Sequence, residues 1–579
     1  MSAKRFIDGK IFTSCDATEL GLQESMLIYD GKVVCVGSET HTRAQSSKVG
    51  VSFRHSANLR CSCCPYANQL KCEIEEIDLK QRVVLPGIID GHTHLVMLGG
   101  SLNKVNMLGL SIKEIQDALC SARYSQPECQ MILGRSFLLD ALGQRPHRKF
   151  LDEILPDIPV FIDSADLHST WLNTAAIQAL GITKDTPNPK GGVFEKDAHG
   201  ELTGLFLETA TAEYVWPYLA SQLTVEDRLK YLQDTFDEYL ATGVTGAVEM
   251  ALEELDLKAL EIFYKRHNNS LPMRITAHWL ISPSGTHQDR HDRVMAAVRH
   301  KERLSNCAPW LRLAGIKIIS DGVVDSCTAY CTKPYFDGTT ADPIWPWAEL
   351  LETVALADKH GLQVAVHAIG DAAVDMALDA FEHAIKINGD IHRLHRIEHL
   401  EVVTKDSIAR LTRLGIVASL QPVHADPVYL PNWQKMVGYD ERMDRAFPWS
   451  EYVEANSKVA FGSDAPTAPH HCFPNMYTAT TRQSGVNPAL PPSDDHRIRA
   501  LAKWCVGLDV AIRNYTLGSA YACQADAYSG SLEPGKSADF CILGIDPFKD
   551  GVDTLREAQT AVVQTWLNGE IVFQKSDLE

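Results

Sequence analysis

Residues 83–96 read V-V-L-P-G-I-I-D-G-H-T-H-L-V, an apolar run that ends in two histidines. The run predicts a buried β-strand over Val83–Asp90. Because side chains two residues apart in an extended chain point to the same side, His92 and His94 can reach one point. Two imidazoles directed at one point can bind a metal, but a single His-x-His pair is more often two structural polar residues. The remainder of the chain has to decide between these roles.

The length and charge of the chain limit its class. With 579 residues, 45% of them hydrophobic and 22% charged, it has the composition of a globular protein with more than one domain. The net charge of −19, without a compensating basic block, argues against a nucleic-acid partner. No apolar run approaches the ~18 residues of a membrane span, and no signal-peptide core is present at the N-terminus. We therefore expect a cytoplasmic protein with a small-molecule substrate and no membrane partner, and take a homodimer as the working expectation for its assembly.

The 15 cysteines are scattered and odd in number, which favours reduced thiols over a disulfide framework. Four of them cluster at Cys61, Cys63, Cys64 and Cys72. A small zinc-binding clip is one interpretation, but the spacing does not match the common pairs of Cys-x-x-Cys motifs. We favour a surface insertion with exposed thiols.

Both ends of the chain are predicted to be β-rich. Strands are expected at Arg5–Ile7, Ser25–Tyr29, Lys32–Gly37, Glu76–Leu79, Ala538–Leu543, Ala561–Leu567 and Glu570–Phe573. Asp30-Gly31 and Asn568-Gly569 predict two-residue hairpin turns. Since neither end has enough apolar area for a core of its own, we predict one composite β-sandwich domain built from residues 1–82 and 528–579.

The middle of the chain alternates strand and helix patterns, which is typical of βαβ units and a parallel sheet. After Val83–Asp90, strands are predicted at Gly243–Met250, Met273–Ile281, Leu311–Ser320, Leu362–His367, Leu394–His399, Gly415–Leu420 and Lys458–Asp464. Eight strands favour an α/β fold of the (β/α)8 TIM-barrel type over residues 83–527. Roughly 150 residues separate the first two strands, too many for one crossover. Residues 110–240 are therefore predicted to form an inserted cap region after the first strand.

Chemistry in such a barrel belongs at the C-terminal ends of the strands. The predicted ends carry His92 and His94, Lys317 in G-I-K-I-I-S-D-G, His367 in V-A-V-H-A-I-G-D, His399 in R-I-E-H-L-E and Asp464 in F-G-S-D-A-P. Each residue alone is a weak indication, because a strand-terminal histidine is more often structural. Together they form a coherent set of metal ligands.

The order His-x-His, Lys, His, His, Asp resembles the amidohydrolase superfamily of metal-dependent hydrolases. Within it, the chain resembles the amidohydrolase 3 family, which includes N-substituted formamide deformylase-like enzymes. The resemblance covers nearly the whole chain. It extends to D-L-H-S-T-W-L-N-T-A-A-I (166–177), G-G-V-F-E-K-D-A-H-G-E-L-T-G (191–204), H-A-I-G-D-A-A-V (367–374), A-S-L-Q-P (418–422), D-D-H-R (494–497) and G-S-L-E-P-G-K-S-A-D-F (530–540).

This resemblance implies a centre with one or two divalent metal ions. His92 and His94 would hold the first ion together with Asp464, and His367 and His399 would hold the second. Zinc is the first candidate, although imidazole and carboxylate ligands also suit manganese, iron or nickel.

Lys317 matches a lysine that is N6-carboxylated and bridges the two metals in binuclear sites of this superfamily. An ammonium group has no lone pair, and carboxylation would turn it into an oxygen ligand. The alternative is a structural ion pair of Lys317 with Glu249 or Asp321.

The resemblance also implies the reaction, a metal-dependent cleavage of a non-peptide C–N bond of the amide or formamide type. Metal-bound hydroxide would attack the carbonyl carbon, and Asp464 would act as the proton shuttle. A decarboxylase, isomerase or esterase on the same ligands is an alternative, because a metal polarises oxygen in all of these reactions. A non-catalytic scaffold is a third hypothesis, and the complete ligand set argues against it.

Substrate choice is expected to depend on other residues. Cys327 and Ala372 stand where family members often carry arginine, so two anchors for a substrate carboxylate are missing and a neutral or bulky substrate is predicted. Candidate substrate contacts are His168 and Trp171 in the cap and Gln421 and His424 after the seventh barrel strand. Trp171 fits the core of the cap equally well.

Overall fold

The structure is a computed structural model that describes residues 3–15, 21–50, 74–138, 142–164, 169–189, 192–389 and 393–576. The chain divides into two compact units. The barrel unit comprises Met1–His94, Phe236–Ala465 and Pro469–Glu579, and the second unit comprises Leu95–Thr235 and Pro466–Ala468.

Eight parallel strands form the central sheet of the barrel unit and follow one another in chain order. They are Ile88–Thr93, Val244–Leu252, Arg274–Leu280, Leu311–Ile319, Gln363–Ala368, Arg396–His399, Val417–Leu420 and Val459–Phe461. A parallel bridge between Thr93 and Ala465 joins the first strand to the end of the last, and the His94 amide donates to the Ala465 carbonyl at 2.9 Å. The predicted (β/α)8 barrel is confirmed.

Helices follow most barrel strands and bury one apolar face each. Helix Asp371–Asn388, for example, buries Val374, Leu378 and Phe381, which recur at helical spacing. The α-helices of this part are Glu254–Arg266, His287–Leu304, Trp347–Lys359, Asp371–Asn388, Lys405–Arg413, Leu430–Val437, Glu441–Asp444, Trp449–Glu454, Cys472–Thr481, His496–Ala500, Leu508–Arg513 and Ser519–Ala522.

Two further sheets of the barrel unit are built from strands near the ends of the chain, as predicted, and one of them combines strands from both ends. One contains Ala3–Ile7, Ser25–Tyr29, Lys32–Gly37 and Ile74–Asp78, and the other contains Lys10–Ile11, Val83–Pro86, Phe540–Leu543, Val562–Leu567 and Glu570–Gln574. Phe6 from the first sheet packs against Phe540 and Trp566 from the second, with ring centroids 5.2 Å apart in both pairs. Neither terminus could assemble this core without the other.

The two hairpin turns of these sheets occur where the sequence predicts them. Asp30 and Gly31 have φ of 49° and 72°, and Asn568 and Gly569 have φ of 50° and 72°. These paired positive φ values are those of a type I′ turn, which favours Asn-Gly and Asp-Gly.

One strand prediction is wrong in detail. Val83–Asp90 is not a single strand: Val83–Pro86 pairs with Lys10–Ile11 and Phe540–Leu543 in the terminal sheet, and the barrel strand begins at Ile88. The change of sheet occurs at Gly87, where a Cβ atom would lie only 2.0 Å from Oγ1 of Thr245. The apolar run hides this break, because both strands are fully buried.

The second unit contains a six-stranded mixed sheet and its own core. The strands are Val105–Asn106, Ile132–Phe137, Val160–Ser164, Ser169–Leu172, Gly192–Lys196 and Leu202–Glu208. The helices are Leu95–Leu102, Ile112–Ser125, Arg148–Asp152, Thr174–Ala179 and Trp216–Gln222, and helix Val225–Ala241 continues into the barrel unit. Its covering of the barrel mouth as a cap stays a prediction.

Two further predictions concern membrane-spanning helices and the cysteine cluster. Within the described ranges, every helix is too short or too polar to cross a bilayer. The cysteine cluster Cys61–Cys72 lies outside the described residues, and Glu39–Gly50 is the helix that precedes it.

Candidate metal centre

The predicted ligands are brought to one end of the barrel by the strands that carry them. His92 lies in the first strand with His94 directly after it, and Asp464 follows the last strand. Lys317, His367 and His399 lie in the fourth, fifth and sixth strands. Parallel strands place their carboxyl ends at one edge, where catalytic residues of such barrels gather.

His92, His94 and Asp464 form the tightest group. One ligand atom from each lies within 4.8 Å of the others. Oδ1 of Asp464 is 3.2 Å from Nε2 of His92 and 3.1 Å from Nε2 of His94. The backbone supports this contact, since the Asp464 amide donates to the His92 carbonyl at 2.7 Å. Two imidazoles and a carboxylate in this arrangement can hold a divalent ion.

The electrostatics of this group favour a positive charge. Burial alone would raise the pKa of Asp464, but His92 and His94 hold it well below its usual range. Burial alone would lower the pKa of His94, but the Asp464 and Glu249 carboxylates raise it to about 9. The carboxylates thus favour a cation at this point, and metal binding there would release the proton of His94.

Asp464 also takes part in a second group, with His399 and His424, whose ligand atoms lie within 4.8 Å of one another. Oδ2 of Asp464 is 3.5 Å from Nε2 of His424. The family resemblance implies His367 as the partner of His399, and the His367 ring does lie 4.4 Å from that of His399. However, Nε2 of His367 donates to the Gly322 carbonyl at 3.1 Å, so this nitrogen is directed at the backbone.

Two of these histidines are held neutral. Burial and nearby cationic groups lower the pKa of His367 to about 3 and that of His399 well below its usual range. Nδ1 of His399 is buried without a hydrogen-bond partner among the described residues. Neutral imidazoles keep the lone pair that a metal requires.

Backbone strain marks the strand ends that carry His399 and Asp464. Their φ angles are 77° and 59°, in the left-handed region that non-glycine residues rarely adopt. Such strain is retained where it aims a side chain at a functional site.

Lys317 is buried, and its Nζ has no hydrogen-bond partner in the described part of the chain. The predicted alternative, an ion pair with Glu249 or Asp321, is absent from the ion pairs of these residues. Burial lowers the pKa of Lys317 to about 8, against the attraction of Glu398 and Asp464. The neutral amine, whose lone pair can attack carbon dioxide to form the carbamate, is thus easier to reach than in an exposed lysine.

Two further carboxylates belong to this site, and the sequence analysis missed both. Glu398 precedes His399 and accepts a hydrogen bond from Nδ1 of His92 at 2.7 Å. Arg396 pairs with Glu398 at 2.5 Å, and both side chains are completely buried. A carboxylate on the second nitrogen of a ligating histidine fixes its tautomer and orientation. Glu398 therefore directs Nε2 of His92 at Asp464.

Glu401 acts in the same way on His424. Nδ1 of His424 donates to Glu401 at 3.2 Å, and Trp433 Nε1 donates to the other Glu401 oxygen at 3.0 Å. Both carboxylates were visible in the motif R-I-E-H-L-E, but no spacing rule links either of them to a histidine elsewhere in the chain.

The predicted substrate contacts have different surroundings. Gln421 is buried, with Nε2 at 3.4 Å from Nδ1 of His92 and Oε1 without a partner among the described residues. His424 lies beside Asp464, as described above. Trp171 is completely buried in the core of the second unit, where its ring centroid is 6.1 Å from that of Phe137, and this burial favours the core role. His168 lies outside the described residues.

Comparisons with known proteins show the family of the chain. A model of the amidohydrolase family matches residues 75–573. The protein LONG AFTER FAR-RED 3 of Arabidopsis thaliana is 29% identical over an alignment of 588 positions, which covers 98% of this chain and 91% of that protein. N-substituted formamide deformylase of Arthrobacter pascens is 24% identical over 572 residues, with 96% of this chain and 95% of the enzyme covered.

A solved structure shares the fold. The chain is similar to an uncharacterized metal-dependent hydrolase from Pyrococcus horikoshii OT3, with 26% identity and a TM-score of 0.73. The match covers 95% of this chain and 99% of that chain, so it includes both the barrel and the terminal sheets.

Proposed function

Since the chain belongs to the amidohydrolase family, we propose that it uses a divalent metal to hydrolyse a non-peptide C–N bond of the amide or formamide type. The observation that carries this proposal is the position of Asp464. One of its oxygens faces His92 and His94, and the other faces His424. One carboxylate can then contribute to cation binding and to proton transfer in the same site. The similarity to an N-substituted formamide deformylase supports the bond class.

The donor set of the barrel mouth fits a metal ion, because it includes neutral imidazoles and buried atoms without partners, such as Nδ1 of His399 and Nζ of Lys317. When bound, such an ion lowers the pKa of a coordinated water and polarises a substrate carbonyl. We assign zinc first. The residues that would hold one or two ions are His92, His94, Asp464, His367, His399 and, if N6-carboxylated, Lys317.

Asp464 is the proposed proton carrier. Its pKa is held well below the usual range by His92 and His94 despite burial, so it is ionised. It would take the proton from the attacking water and return it to the leaving nitrogen, which makes the amine a better leaving group. General acid–base catalysis of this kind contributes about 10²–10⁴ in rate.

His424 is the proposed partner of Asp464 in this transfer. Glu401 and Asp464 raise the pKa of His424 against the effect of burial. Its Nδ1 is bonded to Glu401, so Nε2 is directed at Asp464. We therefore expect His424 to donate a hydrogen bond in the reaction.

The substrate is proposed to be neutral at the end that faces the loop after the Lys317 strand. Cys327 in this loop carries no charge, and its Sγ contacts the Met436 sulfur at 3.4 Å. A thiol and a thioether offer an apolar, polarisable wall in place of a carboxylate anchor.

A substrate panel tests the proposal. Zinc-loaded protein is offered N-substituted formamides, neutral amides, N-acyl amino acids and matched esters, and release of amine is compared with release of alcohol. We expect amine from the neutral amides and formamides, and at least a 100-fold loss in Asp464→Asn. Glu382→Gln, a partly exposed glutamate on helix Asp371–Asn388, is the matched control. Turnover of the esters alone would contradict the C–N assignment, and preference for the N-acyl amino acids would contradict a neutral substrate.

A further inference from the structure

Another group of metal-ligating side chains lies in the barrel unit and uses none of the residues of the barrel mouth. It consists of Glu238, His470 and His471. One ligand atom from each lies within 4.8 Å of the others. Nε2 of His470 is 2.9 Å from Oε1 of Glu238, and the two imidazole ring centroids are 4.1 Å apart. The three donors thus converge, although 232 residues separate Glu238 from His470.

The glutamate is held in place by its neighbour in the helix. Tyr239 is buried, and its hydroxyl donates to Asp90 at 3.0 Å and lies 2.6 Å from Oγ1 of Thr93. These bonds fix the end of helix Val225–Ala241 to the first barrel strand. The Glu238 carboxylate therefore starts from a fixed backbone, which reduces the entropy lost when it binds a ligand.

The two histidines lie on the segment that leads into helix Cys472–Thr481. His471 is the residue before the first helical turn, and its carbonyl accepts from the Asn475 amide at 3.1 Å. The Asn475 side chain donates to the Pro469 carbonyl at 3.1 Å, so the residue before His470 is also held by a hydrogen bond from this helix. Both rings are presented by an ordered backbone.

The chemistry of the group is that of a transition-metal site. The hydrogen bond from His470 lowers the pKa of Glu238 against the effect of burial, so the carboxylate is ionised at neutral pH. Two imidazoles and one carboxylate form a common three-ligand set for zinc, whereas magnesium and calcium prefer oxygen ligands only. Side-chain exposure is 34% for Glu238 and 9% for His470, which leaves access for an ion and a water ligand.

We propose that Glu238, His470 and His471 bind a further divalent transition-metal ion, separate from those of the barrel mouth, with zinc preferred over magnesium. Such an ion would join the helix end that carries Glu238 to the segment that follows the last barrel strand. Tyr239 connects this point to Asp90, which also accepts from the amide and hydroxyl of Ser463 at 2.9 and 2.6 Å. The bound ion would therefore stabilise the strand ends that carry His92 and Asp464, although Glu238, His470 and His471 contribute no ligand to the metal centre of the barrel mouth.

Metal counting on the full chain tests this site. Protein stripped with a chelator is dialysed against increasing free zinc, and bound zinc is measured by elemental analysis. Glu238→Gln and His471→Ala are each expected to lose one equivalent, or to bind it at least 10-fold more weakly, relative to the unchanged protein. His287→Ala removes an exposed histidine that lies 3.7 Å from Glu352 and is the matched control, with an unchanged count. Magnesium alone should not fill the site.

A second measurement separates this site from the barrel mouth. His92→Ala should lose zinc from the barrel mouth and keep the equivalent that Glu238→Gln loses. Zinc should also raise the melting temperature of His92→Ala more than that of the double variant His92→Ala/His471→Ala. The proposal is overturned if Glu238→Gln and His471→Ala bind as many zinc ions as the unchanged protein and with the same affinity. It is also overturned if Glu238→Gln loses a zinc ion that His471→Ala keeps. Circular dichroism verifies that each variant is folded.

Discussion

Replacing Glu398 by glutamine tests whether the buried carboxylate behind His92 organises the metal centre. Glu398 and Arg396 are completely buried, and the guanidinium donates to the carboxylate at 2.5 and 3.0 Å. Nδ1 of His92 donates to the same carboxylate at 2.7 Å. Glutamine has the same shape but no charge. With its carbonyl oxygen in the place of Oε2, its NH2 group would face Arg396 Nε, which now donates to Oε1 of the carboxylate.

The expected loss of stability follows from these contacts. Arg396 would keep its bonds to the Gly91 carbonyl at 2.7 Å and to Ser419 Oγ at 2.6 Å, but its buried charge would have no counter-charge in contact. Removing one partner of a buried ion pair costs about 3–5 kcal/mol. Because the amide retains one acceptor, we expect about 3 kcal/mol. Loss of the histidine-orienting carboxylate should also weaken metal binding about 10–100-fold.

Urea unfolding followed by tryptophan fluorescence measures the first effect, and competition with a chromogenic chelator measures the second. Glu382→Gln is the matched control, because Glu382 also pairs with an arginine, Arg410, at 2.8 Å but is 39% exposed. It should cost less than about 1 kcal/mol and leave metal affinity unchanged. The double variant Arg396→Met/Glu398→Leu should recover stability but not metal affinity. If Glu398→Gln unfolds at the same urea concentration as Glu382→Gln and binds metal as tightly as the unchanged protein, the orienting role of Glu398 is refuted.

Three other predictions concern single side chains of the centre. In metal-free protein, the pKa of Lys317 is about 8 in the folded state and lies below the ordinary value of 10.5. Between these two pH values the unfolded chain binds more protons than the folded one, so the free energy of unfolding rises with pH, by up to roughly 3 kcal/mol. Lys317→Met should lack this rise in urea titrations at pH 8 and pH 10.5. Glu401→Gln should lower kcat about 10-fold with little change in zinc content, because it disturbs His424 and no proposed metal ligand. A loss of zinc in proportion to the loss of kcat would contradict this. Cys327→Arg should shift the ratio of kcat/KM towards carboxylated amides about 10-fold or more, corresponding to one charged hydrogen bond, and an unchanged ratio would place substrate recognition elsewhere.

The barrel was predictable from sequence because its strands are apolar runs that end in polar residues. Leu311–Ile319 and Gln363–Ala368 are buried along almost their whole length, so their composition alone distinguishes them from loops. His92 and His94 were predictable for a related reason, since the alternation of an extended chain determines which way neighbouring side chains point.

Contacts between side chains distant in sequence were not predictable in this way. Glu398 binds a histidine 306 positions away, and Arg396 reaches the Gly91 carbonyl across 305 positions. Periodicity carries no information on such pairs, because they depend on how the barrel closes. The switch at Gly87 was missed for the opposite reason: a local signal, Pro-Gly, was present inside a run whose hydrophobicity outweighed it.

That switch has a consequence for biosynthesis. The segment before Gly87 pairs with Phe540–Leu543, which emerges from the ribosome about 450 residues after Pro86. At typical rates of 5–20 residues per second, the interval is roughly 20–90 s. During it, Val83–Pro86 has an open edge, and the strand that carries His92 continues directly from it. The nascent chain therefore has to protect one apolar edge until translation is nearly finished, and a chaperone that binds extended apolar segments would act most strongly in this interval.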